Sequence, residues 1–261
     1  MPQIHPTSVV EDGANIADDV TIGPFCYVQA EASIGPGTLL KNHVTVYSHS
    51  KIGAECVIHA GAVIGDLPQD LAFDAENVST VRIGDRCTIR EGVTIHRGTK
   101  PDTETVIGNE CFFMVNSHIA HNCVVGDRVI FANGVLLAGY VTIGEGAFLS
   151  GNTVVHQFCK VGRLAMMSGL SAISKDLPPF FVTRSSTVNA VSGINSIGMR
   201  RANLSSDARS SVKNIFRKIY LGTQNIGDAL AQLEEENMGP ETSEVIDFIK
   251  NSERGICSYN G

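Results

Sequence analysis

From Ile4 onward every sixth residue is a branched apolar one: Ile4, Val10, Ile16, Ile22, Val28, Ile34, Leu40, Val46, Ile52, Ile58 and Ile64 follow without a gap. An α-helix repeats its apolar face about every 3.6 residues and a strand every two, so neither satisfies this period. The count resumes one residue out of phase at Ile83 and runs by sixes to Ile173, with Pro101 as its one blank. A hexapeptide period predicts a parallel β-helix, whose short strands coil around a column of Ile, Val and Leu. Three six-residue sides make an eighteen-residue turn, so residues eighteen apart stack on successive rungs about 4.8 Å apart.

A second column supports the first. Four residues after each apolar position comes a smaller one, and six of the seven cysteines (Cys26, Cys56, Cys87, Cys111, Cys123 and Cys159) fall there, leaving only Cys257 outside. A reduced cysteine packs as a small hydrophobe. These six therefore read as interior filler, and a free-thiol interior suits a reducing compartment. No stretch is long and apolar enough for a membrane span, and Met1-Pro2-Gln3-Ile4-His5 runs straight into the repeat without a signal-like segment. The expectation is a cytoplasmic protein with no stable membrane insertion. A net charge of -7 argues against nucleic-acid binding, which needs a basic face.

The predicted fold class is an all-β solenoid over residues 1–190, followed by an α-helical region over 191–261. Two interruptions stand out. The phase break between Ile64 and Ile83 requires a loop around Asp66 to Arg82, carrying Leu67-Pro68-Gln69-Asp70; a second loop lies at His96 to Val106. Long loops on a regular scaffold tend to carry function. In the tail, Ser205 or Ser206 caps a helix running to Leu221, Ile226 to Glu236 reads as another, and Glu244 to Lys250 as a third after Thr242 and Ser243. This tail is expected to cover the last turn of the solenoid, which would otherwise present an open edge.

Phase arithmetic gathers the histidines. His121 lies two residues after the inward Ile119 and so points outward; eighteen residues on is Gly139, whose backbone N–H is left open by the missing side chain. His118, His121 and His156 share that neighbourhood, and His96 borders the second loop. Outward histidines on a solenoid are usually solvated surface. Clustered beside loops and a bare glycine, however, His121 is placed as a general base and Gly139 as an oxyanion donor for attack on a carbonyl.

Longer motifs carry a family resemblance. Gln69-Asp70-Leu71, Ile95-His96-Arg97-Gly98-Thr99, His118-Ile119-Ala120-His121-Asn122-Cys123, Leu137-Ala138-Gly139, His156-Gln157-Phe158-Cys159, Gly193-Ile194-Asn195, Arg200-Arg201 and Ser252-Glu253-Arg254-Gly255-Ile256 together resemble the UDP-N-acetylglucosamine acyltransferases that open lipid A biosynthesis. The match runs in order over nearly the whole chain. The resemblance implies a left-handed β-helix, a homotrimer with sites between neighbouring chains, and transfer of an (R)-3-hydroxyacyl group from acyl carrier protein to the 3-position of the UDP-sugar. It implies His121 as base and Gly139 as oxyanion donor. Asp70 would meet the sugar, His118, His156, Gln157 and Asn195 would line the donor and nucleotide sites, Arg200 and Arg201 would meet the diphosphate, and Gln69 and His96 would also bind substrate. No cofactor or metal is expected, since the donor arrives as a thioester on the carrier's phosphopantetheine.

Four positions depart from the family pattern: Asn122 for an aspartate, Tyr140 for a histidine, Ala72 for a lysine and Ile197 for a glutamate. They leave open whether the acceptor bears a 3-hydroxyl or a 3-amine. Gly169, beside Met166, matches a position where a bulky residue shortens the acyl groove, so its smallness implies a long chain. Arg209, Lys213 and Arg217 recur on one helical face suited to an acidic carrier protein. Competing readings are a γ-carbonic-anhydrase-type zinc enzyme, against which His118 and His121 fall on different columns, a coenzyme A-dependent hexapeptide acyltransferase, and a non-catalytic scaffold.

Overall fold

A computed structural model describes residues 1–236 and 239–259. The hexapeptide repeat is drawn out as short parallel strands, most of them two residues long, on three faces that begin with Gln3–Ile4, Val9–Val10 and Asn15–Ile16. Strands pair with the residue eighteen on, as Val124 with Thr142 and Thr142 with Lys160. The coil is left-handed. Corners pass through residues with positive φ, including a stacked series Asn122, Tyr140 and Phe158 at 59°, 60° and 65°. Each non-glycine residue held there costs about 1 kcal/mol. Rung-to-rung hydrogen bonds hold them in place: Tyr140 N–H donates to His121 O (3.0 Å) and Phe158 N–H to Gly139 O (3.1 Å).

The apolar column is sealed from Val20 and Ile22 onward, and each buried Ile or Val side chain contributes roughly 1.5–3 kcal/mol. At the N-terminal end the column is open, with Ile4 41% exposed. All seven cysteines are free and buried, including the off-column Cys257. Burial pushes the thiols of Cys123 and Cys257 up to about 12, so they pack as neutral groups.

Both sequence interruptions are loops, and they lie against each other. Val57 pairs with Thr88 and Thr88 with Phe112, so the coil regains register after each excursion. Arg97 N–H donates to Asp66 O (3.2 Å), Ser79 Oγ to Gly98 O (2.6 Å), and Asp102 N–H to Val78 O (3.0 Å).

After Ile173 the chain closes the coil with Phe181–Thr183, which pairs antiparallel with Ala190–Ile194. Among the described residues four α-helices follow: α1 (Ser196–Arg201), α2 (Ser206–Phe216), α3 (Ile226–Glu236) and α4 (Pro240–Lys250). Ser205 caps α2 as expected, its side chain accepting from Ala208 N–H, and α2 runs on into a π-helical turn, Arg217–Leu221. Helix α1 was not expected from sequence. Helix α4 begins at Pro240, after Gly239 at φ 102°, rather than near Glu244. The tail does cover the last rung: Phe216 and Tyr220 rings each lie 5.6 Å from Phe181. Arg163 bonds Glu244 of α4 through Nε and Nη2. No helix of the described residues is long and apolar enough to cross a membrane.

Candidate active site

Thr94–His96, His118–Ile119, Leu136–Leu137 and Val154–Val155 are successive rungs of the second face. His118 therefore lies directly above Thr94, whose hydroxyl is 2.7 Å from its Nδ1, and its ring meets His96 edge-on at 5.1 Å between centroids. His96 is only 5% exposed and its Nδ1 has no hydrogen-bond partner among the described residues. Burial lowers the pKa of His96, and burial together with the imidazoles of His96 and His121 lowers that of His118 to about 4. Near neutral pH both rings are uncharged. They can offer hydrogen bonds to a ligand but are not poised to carry a proton.

His121 occupies the corner that follows, half-buried. Its ring lies on the bare face of Gly139: a Cβ built on that glycine would stand 2.3 Å from Cε1 and 2.6 Å from Nε2. The eighteen-residue register predicted this neighbourhood. Gly139 is buried, and its N–H meets no acceptor among the described residues. On the other edge of the imidazole, Nδ1 is 3.0 Å from Asn122 Oδ1, and the Tyr140 ring stands edge-on at 5.3 Å. An amide oxygen can only accept, so Nδ1 carries a proton, and in the neutral imidazole the lone pair is then on Nε2.

The remaining expected residues lie on other rungs, on the first loop and in the helical tail. His156 and Gln157 are exposed, with His156 Nδ1 3.2 Å from Gln157 O. Arg254, to which sequence reasoning gave no role, donates from Nε to Ser174 O (3.0 Å) and brings Nη2 to 3.4 Å from His156 Nδ1. Gln69 and Asp70 are exposed on the first loop, where Asp70 Oδ1 accepts from Ala72 N–H (2.9 Å). That loop rests on Arg97, whose guanidinium carbon is 5.8 Å from the Phe73 ring.

Asn195 does not present a free amide to the surface: it is 7% exposed, its Oδ1 caps α1 through Gly198 N–H and its Nδ2 donates to Leu164 O. Its place as the helix cap uses both polar ends. Arg200 and Arg201 are exposed in the last turn of α1. Arg200 joins Arg209 and Lys213 around a cleft of about 260 Å³ with Ser206 and Ser210. Arg209 turns back to donate to Leu204 O, while Arg217, exposed one turn beyond Lys213, donates its backbone N–H to Lys213 O where α2 passes into the π-helical turn. A roomier cleft, about 800 Å³, lies between α4 and the third face. Met166 is half-buried in its strand, and Gly169 has no positive φ; an added Cβ there meets nothing closer than 3.7 Å. No tight turn requires that glycine.

Among the described residues, no three His, Cys, Asp or Glu side chains gather as metal ligands.

Residues 176–257 match the family model described as UDP N-acetylglucosamine O-acyltransferase, domain 2, and residues 31–66 and 104–139 match bacterial transferase hexapeptide repeats. The chain is 40% identical over 261 residues to an acyl-[acyl-carrier-protein]--UDP-N-acetylglucosamine O-acyltransferase of Sinorhizobium fredii, covering 99% of this chain and 96% of that one. Among solved structures, the UDP-N-acetylglucosamine acyltransferase of Francisella novicida superposes with a TM-score of 0.94 at 34% identity, covering 98% of this chain and 94% of that one. The Bacteroides fragilis enzyme of the same name gives 0.93 at 39% identity, covering 97% and 99%.

Proposed function

The chain belongs to the UDP-N-acetylglucosamine O-acyltransferases, the acyltransferases of the first step of lipid A synthesis, and from that premise we propose that His121 is the general base in moving an (R)-3-hydroxyacyl group from acyl carrier protein to the 3-position of UDP-N-acetylglucosamine. The observation that carries this reading is the imidazole itself: Nδ1 is occupied by Asn122 Oδ1, leaving Nε2 as the lone pair beside a bare glycine.

Nε2 takes the proton of the acceptor's 3-substituent as that atom attacks the thioester carbonyl. The tetrahedral oxyanion accepts from Gly139 N–H, which has no other acceptor among the described residues. Collapse expels the pantetheine sulfur, and the imidazolium returns its proton to that leaving group. A thioester is already activated, so positioning, deprotonation and oxyanion stabilisation suffice and no cofactor is called upon. His96 and His118, both uncharged near neutrality, serve as hydrogen-bonding walls.

His156, Gln157, Asp70, Arg200 and Arg201 stand exposed on one chain. That openness suits a homotrimer in which a neighbouring chain completes the site, Asp70 and Gln69 holding the sugar and Arg200 and Arg201 the diphosphate. The basic cleft of Arg200, Arg209 and Lys213 suits an acidic carrier protein, and the absence of any membrane-spanning helix among the described residues suits a cytoplasmic enzyme.

The test is mass spectrometry of the products formed from a mixture of 3-hydroxyacyl carrier proteins with UDP-N-acetylglucosamine and its 3-amino analogue. An acylated nucleotide sugar supports the reading and identifies the acceptor atom. No acylated nucleotide sugar with either acceptor would overturn it.

A further inference from the structure

The geometry points to Thr99 as the positioning residue that fixes the tautomer and aim of the His121 imidazole, acting through Asn122. This inference rests on the reading of His121 as the base.

Thr99 belongs to the second interrupting loop and is 8% exposed. Its backbone N–H is 3.1 Å from Asn122 Oδ1. An N–H must meet an acceptor, so the Asn122 amide is oriented with its oxygen toward both Thr99 and His121, whatever the ambiguity of amide flips elsewhere. That oxygen accepts only. Thr99 Oγ1, 3.0 Å away, must therefore donate to it. The single hydroxyl proton is then used, so Tyr140, whose OH is 3.0 Å from the same Oγ1, is the donor of the next bond. His121 Nδ1, also 3.0 Å from Oδ1, donates as well.

The result is a directed chain: Tyr140 O–H to Thr99 Oγ1, Thr99 O–H to Asn122 Oδ1, and His121 Nδ1–H to the same oxygen. It contains no carboxylate. The Asn122 backbone is held in its left-handed corner (φ 59°) by donation to Thr105 Oγ1 at 2.8 Å, so both ends of the loop grip this residue. Tyr140, at the other end of the chain, stacks on Phe158 at 4.9 Å and stands edge-on to His121. A neutral amide stabilises an imidazolium less than a carboxylate does. What Thr99 secures is which nitrogen is free and where it points.

Full-length Thr99→Val, Thr99→Ser, Asn122→Gly and the double variant Thr99→Val/Asn122→Gly are assayed for kcat and for KM of both substrates, with His121→Ala as control. Glycine is chosen at 122 because it tolerates the positive φ. Thr99→Val is expected to lower kcat about tenfold, the effect of one lost hydrogen bond in the transition state, with KM of the nucleotide sugar nearly unchanged. Thr99→Ser should restore it, and the double variant should be no slower than Asn122→Gly alone. An unchanged kcat in Thr99→Val, or losses that simply add in the double variant, would overturn the inference. If His121→Ala itself retains turnover, the base assignment fails; if His121→Ala is inactive while Thr99→Val is normal, only the role of Thr99 fails. Should Thr99→Val not fold, Asn122→Asp gives a separate reading: a carboxylate on Nδ1 should move the acid limb of kcat/KM up by about one pH unit. An unmoved limb would show that Nδ1 is not governed by residue 122, and the inference falls with it.

Discussion

The imidazole of His121 lies flat against the position where Gly139 lacks a side chain, so close that a methyl group there would stand 2.3 Å from Cε1. Gly139 has no positive φ, and the atoms a methyl would strike belong to the movable end of one side chain. Gly139→Ala should therefore fold normally and swing the imidazole away. We expect kcat to fall about 10²-fold, the effect of roughly 1 Å of misplacement, with the melting temperature nearly unchanged. Wild-type kcat in this variant would show that the contact has no catalytic consequence.

His118 makes stability depend on pH. Its folded pKa of about 4 lies below the ordinary 6.5, chiefly because the ring is buried. Between those values the unfolded chain binds a proton that the folded chain refuses, so stability rises with pH across the window and is lost as pH falls from 6.5 toward 4. The full effect is on the order of 3 kcal/mol per chain. His118→Gln should show a smaller drop in melting temperature between pH 7 and pH 4.5 than the parent protein. Equal drops would remove His118 from the acid sensitivity.

Gly169 faces space in which an added Cβ meets only Gly151 O and Ser150 Oγ, both at 3.7 Å. Gly169→Met should fold and move preference toward shorter donors in a competition among carrier proteins of different chain length. An unchanged preference would place the groove elsewhere.

Lys213 is exposed beside Arg200 and Arg209. Reversing its charge with Lys213→Glu should raise the apparent KM for the carrier protein and flatten its salt dependence, since long-range attraction between charged surfaces is screened by ions. No change in either quantity would return this cleft to ordinary surface.

The solenoid was legible because its signal is periodic. Ile119, Leu137 and Val155 occupy one interior column, all of them buried, and once that column is counted, residue 139 must follow 121 by one rung. Departures from the period were legible as loops, but not what the loops touch. Thr99 reaches Asn122 from a segment that has left the register, so no phase arithmetic connects them. Asn195 carried no sign that it caps α1, a helix whose one buried residue is Met199 and which therefore has no apolar stripe to read. Helix α4 did announce itself: Gly239-Pro240 is a boundary with Pro in the first turn, a stronger signal than Thr242 and Ser243, of which Thr242 is buried with no hydroxyl partner among the described residues. In the structure the Asn122 amide oxygen stands 3.0 Å from His121 Nδ1, a neutral oxygen where the family pattern has a charged one.

The most direct test is the turnover of His121→Ala. The side chain is half-buried at a corner and contributes little to the core, so the variant should keep the β-rich circular dichroism and the oligomeric size of the parent while acyl transfer falls about 10³-fold. Near-normal turnover in a folded His121→Ala protein would contradict the account.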